Sequence, residues 1–206
     1  MEKNQIFENI MSRTSVRSYT DQPVEPEKVE MMLRAGMAAP SACNKQPWHF
    51  VVINDREILD QIPQFSPYAS MVKQAPLAIV VCGCLDKALE GTEQEFWIQD
   101  CSAATENILL MAHGLGLGGV WTALYPLKER YEGMQQLLHL PKTMIPLNTL
   151  IIGYPKNRVA AKDNWKEENV SYNLWMPLNF INCSRINVRT PFLNFLYYEF
   201  FSIHLL

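Results

Sequence analysis

Apolar residues recur along this chain with two spacings, one typical of helices and the other typical of buried strands. The helical spacing predicts helices over residues 3–12, 26–39, 55–62, 67–74, 93–115 and 128–139. Short apolar runs predict strands over residues 49–53, 77–82, 119–125 and 149–153. Isolated strands between helices indicate an α/β or an α+β sandwich.

Two apolar stretches indicate where the core lies. The run at residues 77–82 is unbroken, which predicts a central strand that is covered on both faces. Within the predicted helix at 93–115, only Glu106 is charged between Cys101 and Ala112. A helix this apolar has no solvent-facing side, so it forms either the centre of the domain or a subunit interface.

The end of the chain has an unusual composition. From Thr190 to Leu206 only Glu199 is charged, and Phe, Tyr, Leu and Ile predominate. The segment is short for a membrane-spanning helix and is interrupted by polar residues. It is consistent with an interfacial anchor, a partner-binding segment or a non-native tail.

Composition limits the function classes. A net charge of −3 gives no general attraction to nucleic acid or to an anionic membrane, so a phosphate site must be a local basic cluster. The five cysteines are odd in number and lack paired CxxC spacing, and the N-terminus does not resemble a signal peptide. These features indicate a reduced, cytoplasmic compartment.

Several familiar chemistries are not indicated. The four histidines fall in separate predicted elements, so neither a metal site nor a Ser-His-Asp triad is predicted, and no residue is assigned as catalytic. Gly114–Gly119 matches G-x-G-x-x-G, but it leaves a predicted helix and enters a strand. The dinucleotide-binding loop has the reverse order, so this match predicts a helix C-cap and a tight turn.

Three polar stretches are candidates for ligand binding. In residues 13–17 two arginines flank Ser15, an arrangement that suits a phosphate but also fits a solvated helix end. In residues 40–50, Asn44 and Gln46 can read the edge of a planar heterocycle, or else form an Asx-type turn. The third stretch, residues 152–155, is followed by three basic residues that either add charge to a phosphate pocket or are solvated: Lys156, Arg158 and Lys162.

Taken together and in this order, these stretches resemble the nitroreductase family of FMN-dependent oxidoreductases. The resemblance also includes the long helix that ends in Gly-Leu-Gly and the strand at residues 120–126. It covers residues 3 to about 175. It implies one FMN-binding domain over residues 1–175 and leaves an atypical apolar and aromatic tail, residues 176–206, outside the family pattern.

The resemblance implies roles for particular residues. The FMN phosphate and ribityl chain are expected to contact Arg13, Thr14, Ser15 and Arg17, with Lys162 returning to the phosphate region. Asn164 stands where many relatives carry a second basic residue. The isoalloxazine edge is expected to contact Asn44 and Gln46 of the partner subunit, from a loop that includes Pro40 and Ser41. The backbone near the flavin N5 atom is expected to be Thr122, Ala123 and Leu124.

The resemblance also implies a fold and an activity. The expected fold is an α+β three-layer sandwich with a mostly antiparallel sheet, in a homodimer that holds the flavin at its interface. The expected enzyme passes a hydride from NAD(P)H through flavin N5 to a nitroaromatic, a quinone or a similar electron-poor acceptor. The alternative is an FMN-binding storage or redox-sensor protein with little turnover. Neither nucleic acid nor a membrane is an expected partner.

Overall fold

The computed structural model describes residues 4–157, 159–161 and 163–175. The chain divides into two compact units, Met1–Lys162 and Asp163–Leu206. In the second unit the described residues contain one 3-10 turn, Glu167–Asn169, and no other helix or strand. The predicted tail at 176–206 lies outside the described residues, and the predicted domain boundary at 175 stays a prediction.

The described part of the first unit contains five α-helices and four β-strands. The helices are α1 (Gln5–Ser12), α2 (Pro26–Met37), α3 (Arg56–Gln61), α4 (Phe96–Gly114) and α5 (Lys128–Leu137). The strands are β1 (Trp48–Ile53), β2 (Leu77–Cys84), β3 (Gly118–Ala123) and β4 (Met144–Gly153). The predicted helix at 67–74 is a 3-10 helix, Pro67–Gln74.

The four strands form one antiparallel sheet in the order β1-β2-β4-β3. Every residue of β2 is buried, which confirms the predicted central strand. Alternate side chains of β2 enter different clusters: Ile79 and Val81 join one, whereas Val80 and Cys82 join the other. Two hydrophobic cores therefore lie on opposite faces of the same sheet.

Helices cover both faces of the sheet and complete a three-layer α+β sandwich, as predicted. One core contains Met32 of α2 and Ile108 of α4. The opposite core contains Leu59 of α3 and Met134 of α5. Gly83 allows one close contact, because a Cβ atom there would lie 2.2 Å from Cε3 of Trp97 in α4.

Two predicted strand boundaries are corrected. β4 begins at Met144 rather than at 149, although Pro146 lies within it. Pro146 is tolerated because the register with β2 shifts between Val81 and Cys82, and a bulge requires fewer ladder hydrogen bonds. β3 ends at Ala123 rather than at 125, because the chain turns there and Leu124 and Tyr125 both donate to the Leu147 carbonyl.

The predicted C-cap after the long helix is confirmed. Gly116 has a φ of 77°, and the next residue, Leu117, donates its backbone N–H back to Ala112 O at 2.9 Å. This left-handed turn reverses the chain from α4 into β3. None of the described helices is long and apolar enough to cross a membrane.

Candidate functional site

The segment that contains the two arginines lies along the open edge of β3. Ser15 forms a parallel bridge with Gly119, and Val16 N donates to Gly119 O at 3.1 Å. The approach requires a glycine at 118, since a Cβ atom there would lie 2.6 Å from Cβ of Val16. The backbone of residues 13–17 is therefore held against the beginning of β3.

Residues 18–20 hold the same segment against the end of β4. The buried Tyr19 hydroxyl lies 2.9 Å from Ile151 O, and burial raises the pKa of this phenol well above its usual range. Thr20 N donates to Tyr154 O at 2.9 Å. Lys156 N donates to Ser18 O at 2.9 Å, which brings one of the three predicted basic residues beside the arginine segment.

Helix α4 contacts the start of the segment through residues that the sequence did not identify. Arg13 Nε lies 3.6 Å from Glu106 Oε1, and Asn9 of α1 donates to Leu110 O at 3.0 Å. The only sequence signal for Glu106 was that it is the one charge between Cys101 and Ala112. Its carboxylate neutralises part of the charge of Arg13.

His113, near the end of α4, makes the third contact. Its Nε2 lies 2.8 Å from Ser12 Oγ, and Ser12 Oγ donates to Glu8 O at 2.6 Å. A hydroxyl has one proton to donate, so His113 Nε2 carries the hydrogen of the shared bond. Burial, followed by the nearby charge of Arg13, lowers the pKa of His113 from its ordinary value.

This lowered pKa predicts a pH dependence of stability. The unfolded imidazole takes up a proton near its ordinary pKa of 6.5, whereas the folded one stays neutral to a lower pH. The unfolded state therefore binds more protons in that interval, and the free energy of unfolding falls as pH falls. Urea unfolding of the flavin-free protein measures this free energy at each pH. Between about pH 7 and about pH 5, the free energy of unfolding should fall less in His113→Gln than in wild type. Equal losses in both proteins would contradict the assignment.

The predicted N5 segment, residues 122–124, lies at the other end of β3. Thr122 and Leu124 are buried, and Thr122 Oγ1 donates to Thr149 O at 2.9 Å, whereas Ala123 is exposed. In an antiparallel strand, alternate residues direct their backbone groups to the same edge. Gly119 O accepts from the arginine segment, so Ala123, four residues on, also directs its N–H to the open edge.

The arginine segment and the predicted N5 segment thus share one edge. Four residues of strand separate Gly119 from Ala123 by about 13 Å. The segment that carries Arg13, Ser15 and Arg17 is bridged to one end of this edge. The outward-directed N–H of Ala123 lies at the other end. This donor set fits a molecule with an anionic terminus and a planar, polar-edged ring, as FMN has.

The loop that carries Asn44 and Gln46 has an unusual backbone. Cys43, Asn44 and Gln46 have φ values of 48°, 53° and 49°, and all three are exposed. For residues other than glycine this conformation costs on the order of 1 kcal/mol each. Residues with strained backbone of this kind are found most often at functional sites. Gln46 N donates to Ser41 Oγ at 3.0 Å. Ser41 is therefore the side chain that caps the turn, which corrects the Asx-type alternative.

Among the described residues, no hydrogen bond or ion pair joins this loop to the arginine segment of the same chain. Ala42 N donates to Asp100 Oδ1 near the beginning of α4, whereas Arg13 pairs with Glu106 further along the same helix. From Asp100 to Glu106 a helix rises about 9 Å. Pro40 is exposed at the start of the loop, and Thr14 is partly buried between the arginines. Lys162 and Arg158 lie outside the described residues.

Comparison with known proteins identifies the family. The sequence matches the nitroreductase family over residues 10–68 and 64–154. It is 43% identical over 173 residues to a protein of Methanothermobacter thermautotrophicus that is named as a putative NADH dehydrogenase/NAD(P)H nitroreductase. The matched region covers 84% of this chain and 89% of that protein.

Two solved structures have the same fold. An FMN-dependent nitroreductase from Clostridium difficile superposes with a TM-score of 0.75 at 29% identity, covering 81% of this chain and 98% of that one. The NADPH:FMN oxidoreductase of Vibrio harveyi, in complex with NAD+, superposes with a TM-score of 0.77 at 25% identity, covering 88% and 83%. The resemblance found in the sequence is confirmed: this chain belongs to the nitroreductase family.

Proposed function

We propose that this protein passes a hydride from NAD(P)H, through the N5 atom of bound FMN, to a nitroaromatic, a quinone or a similar electron-poor acceptor. At the level of the family, the chain is an NAD(P)H-dependent oxidoreductase of nitroreductase type, and FMN is its cofactor. The observation that carries the proposal is the shared open edge of β3. The arginine segment lies at one end of this edge and Ala123 at the other.

The arginine segment binds the phosphate. Arg13 and Arg17 supply charge-assisted hydrogen bonds, which are stronger than neutral ones, and Ser15 adds a hydroxyl donor. Glu106 orients Arg13 through Nε, so the two terminal guanidinium nitrogens are available to an anion. The backbone of Lys156 is hydrogen-bonded to Ser18, so this basic residue lies beside the segment. A contribution of Lys162 stays a prediction, because that residue lies outside the described residues.

The other end of the edge orients the ring. The flavin supplies the hydride chemistry when it is bound, and the protein supplies position and surroundings. The outward N–H of Ala123 lies where the N5 region is expected, and the buried Thr122 and Leu124 fix that backbone. Asn44 and Gln46 contribute hydrogen-bonding groups to the ring edge. We assign no acid or base for the reaction to the described residues.

A second copy of the chain completes the site. Helix α1 buries none of its residues, and its apolar stripe is open to solvent: Ile6 is 72% exposed, Phe7 62% and Ile10 49%. Beside it lies an apolar groove of about 640 Å³ between α1, α2 and α4, lined by Met31, Leu110 and Leu115 among others. Exposed apolar surface of this kind marks an interface. A homodimer covers it and brings the partner subunit's 40–48 loop to the arginine segment.

The proposal is tested by anaerobic titration of the purified yellow protein with NADH and with NADPH. Loss of the yellow colour with at least one nucleotide, and its return on adding a nitroaromatic or a quinone, is expected. Protein that stays yellow with both nucleotides instead supports the FMN storage or redox-sensor alternative. Protein that binds no flavin contradicts both. The acceptor panel also identifies the preferred acceptor class, and the cytoplasmic location stays a prediction.

A further inference from the structure

We propose that Asp100 is a positioning residue: through the backbone of Ala42 it holds the loop of residues 41–46 in the conformation that presents Asn44 and Gln46 to the flavin ring. The inference rests on the proposed function, because the role of the loop depends on flavin binding. Asp100 itself is not proposed to touch the flavin. It acts through the hydrogen bond from Ala42 N to its carboxylate.

The surroundings of Asp100 make this hydrogen bond informative. Asp100 is 7% exposed in the second turn of α4, between the buried residues Trp97 and Cys101. Its Oδ1 accepts from Ala42 N at 2.9 Å. A carboxylate in such an apolar environment is unfavourable unless it is hydrogen-bonded, so the Ala42 N–H and the carboxylate depend on each other. The contact joins residues that are 58 positions apart in the sequence.

The loop needs such an external attachment. Three of the four residues from Cys43 to Gln46 are left-handed, and none of them is glycine. This backbone persists only where surrounding contacts impose it. The internal contact from Gln46 N to Ser41 Oγ closes the turn but does not connect it to the fold. Asp100 attaches the loop to the fold on the N-terminal side of the left-handed residues. The hydrogen bond from Cys84 N to Pro47 O attaches it on their C-terminal side.

The consequence for binding differs from that of the arginines. The loop is expected to contact the ring, which FMN and riboflavin share, whereas Arg13 and Arg17 contact the phosphate, which riboflavin lacks. Releasing the loop therefore weakens the binding of both flavins by the same factor. Removing the arginines weakens the binding of FMN alone. This contrast distinguishes loop positioning from a general loss of the site.

The test is a fluorescence titration of the flavin-free full-length protein with FMN and with riboflavin. Asp100→Ala should raise both dissociation constants by about tenfold, whereas Asp100→Asn, whose amide oxygen still accepts from Ala42 N, should stay within about threefold of wild type. Gln99→Ala, an exposed neighbour on α4, is the matched control and should leave both constants unchanged.

Two further measurements keep the inference testable if Asp100→Ala does not fold. Ala42→Pro deletes the donor and is sterically compatible, because the preceding residue, Ser41, is extended with φ −143° and ψ 154°. It should raise the dissociation constants of both flavins, as Asp100→Ala does. Independently of flavin, amide hydrogen exchange at Ala42 should be slow in wild type and in Asp100→Asn.

The outcomes separate this inference from the proposed function. If wild type binds neither flavin, the proposed function fails, while slow exchange at Ala42 still supports the attachment of the loop to Asp100. If wild type binds flavin but Asp100→Ala and Ala42→Pro bind both flavins as tightly, the inference is overturned. A loss confined to FMN, or fast exchange at Ala42 in wild type, overturns it as well.

Discussion

Replacing both Arg13 and Arg17 with alanine should yield a folded dimer that purifies without flavin. Each guanidinium is expected to contribute a charge-assisted contact worth about 1.5–3 kcal/mol, so losing both should raise the FMN dissociation constant at least about a hundredfold. The fold is not expected to depend on these side chains. Residues 13–20 are held on the sheet through backbone bonds and through Tyr19, all of which the double variant retains.

Three measurements check this expectation: flavin content after purification, titration of the flavin-free protein with FMN, and the same titration with riboflavin. Riboflavin affinity should stay close to wild type. Arg34→Ala is the matched control, because Arg34 is an exposed arginine paired with Glu30 on α2. A double variant that purifies yellow at full occupancy would show that the phosphate lies elsewhere.

Placing a charge on the exposed stripe of α1 should abolish the proposed dimer and, with it, flavin binding. In Ile10→Glu a carboxylate would have to be desolvated at the interface, at a cost of several kcal/mol. The dimer dissociation constant should therefore rise by at least about a hundredfold. The monomer itself should fold normally, since α1 buries no residue in the single chain. Sedimentation and flavin content are measured on the same preparation.

Gln136→Glu is the control for the added charge, because Gln136 is exposed on α5, on the face of the sheet opposite α4. It should stay dimeric and yellow. If Ile10→Glu is monomeric but still binds FMN at full occupancy, one chain forms a complete site, and the role proposed for the partner subunit's loop is wrong. If it stays dimeric, α1 does not lie in the interface.

The layers of the fold could be predicted from sequence because their patterns are local. The unbroken apolar run at 77–82 indicated a strand buried on both faces, and β2 has that position. The long apolar helix and its glycine turn were also predicted, since α4 and Gly116 depend on neighbouring residues. β4 was predicted too short because Pro146 and Asn148 interrupt the apolar pattern. Tertiary pairing with β2 outweighs that local signal.

The contacts that shape the candidate site could not be predicted in this way. Glu106 meets Arg13 and Asp100 meets Ala42 across long sequence separations, and neither pair has a recognisable spacing. The left-handed conformation of Cys43 and Asn44 was equally hidden, because no glycine marks it. What the sequence supplied was the ordered set of motifs. The structure adds the contacts by which α4 holds two of these motifs, the arginine segment and the loop that carries Asn44 and Gln46.

The central claim is that one flavin site is built from two chains, and mixing two defective variants tests it most directly. Arg13→Ala/Arg17→Ala lacks the phosphate end of the site, and Asn44→Ala/Gln46→Ala lacks the ring end. Each homodimer should be deficient in flavin and in NAD(P)H oxidation. Unfolding and refolding them together in equal amounts forms mixed dimers, in which one of the two sites regains all four side chains. Random pairing predicts that about a quarter of all sites recover. A mixture that binds no more flavin than its separate components would contradict the shared site.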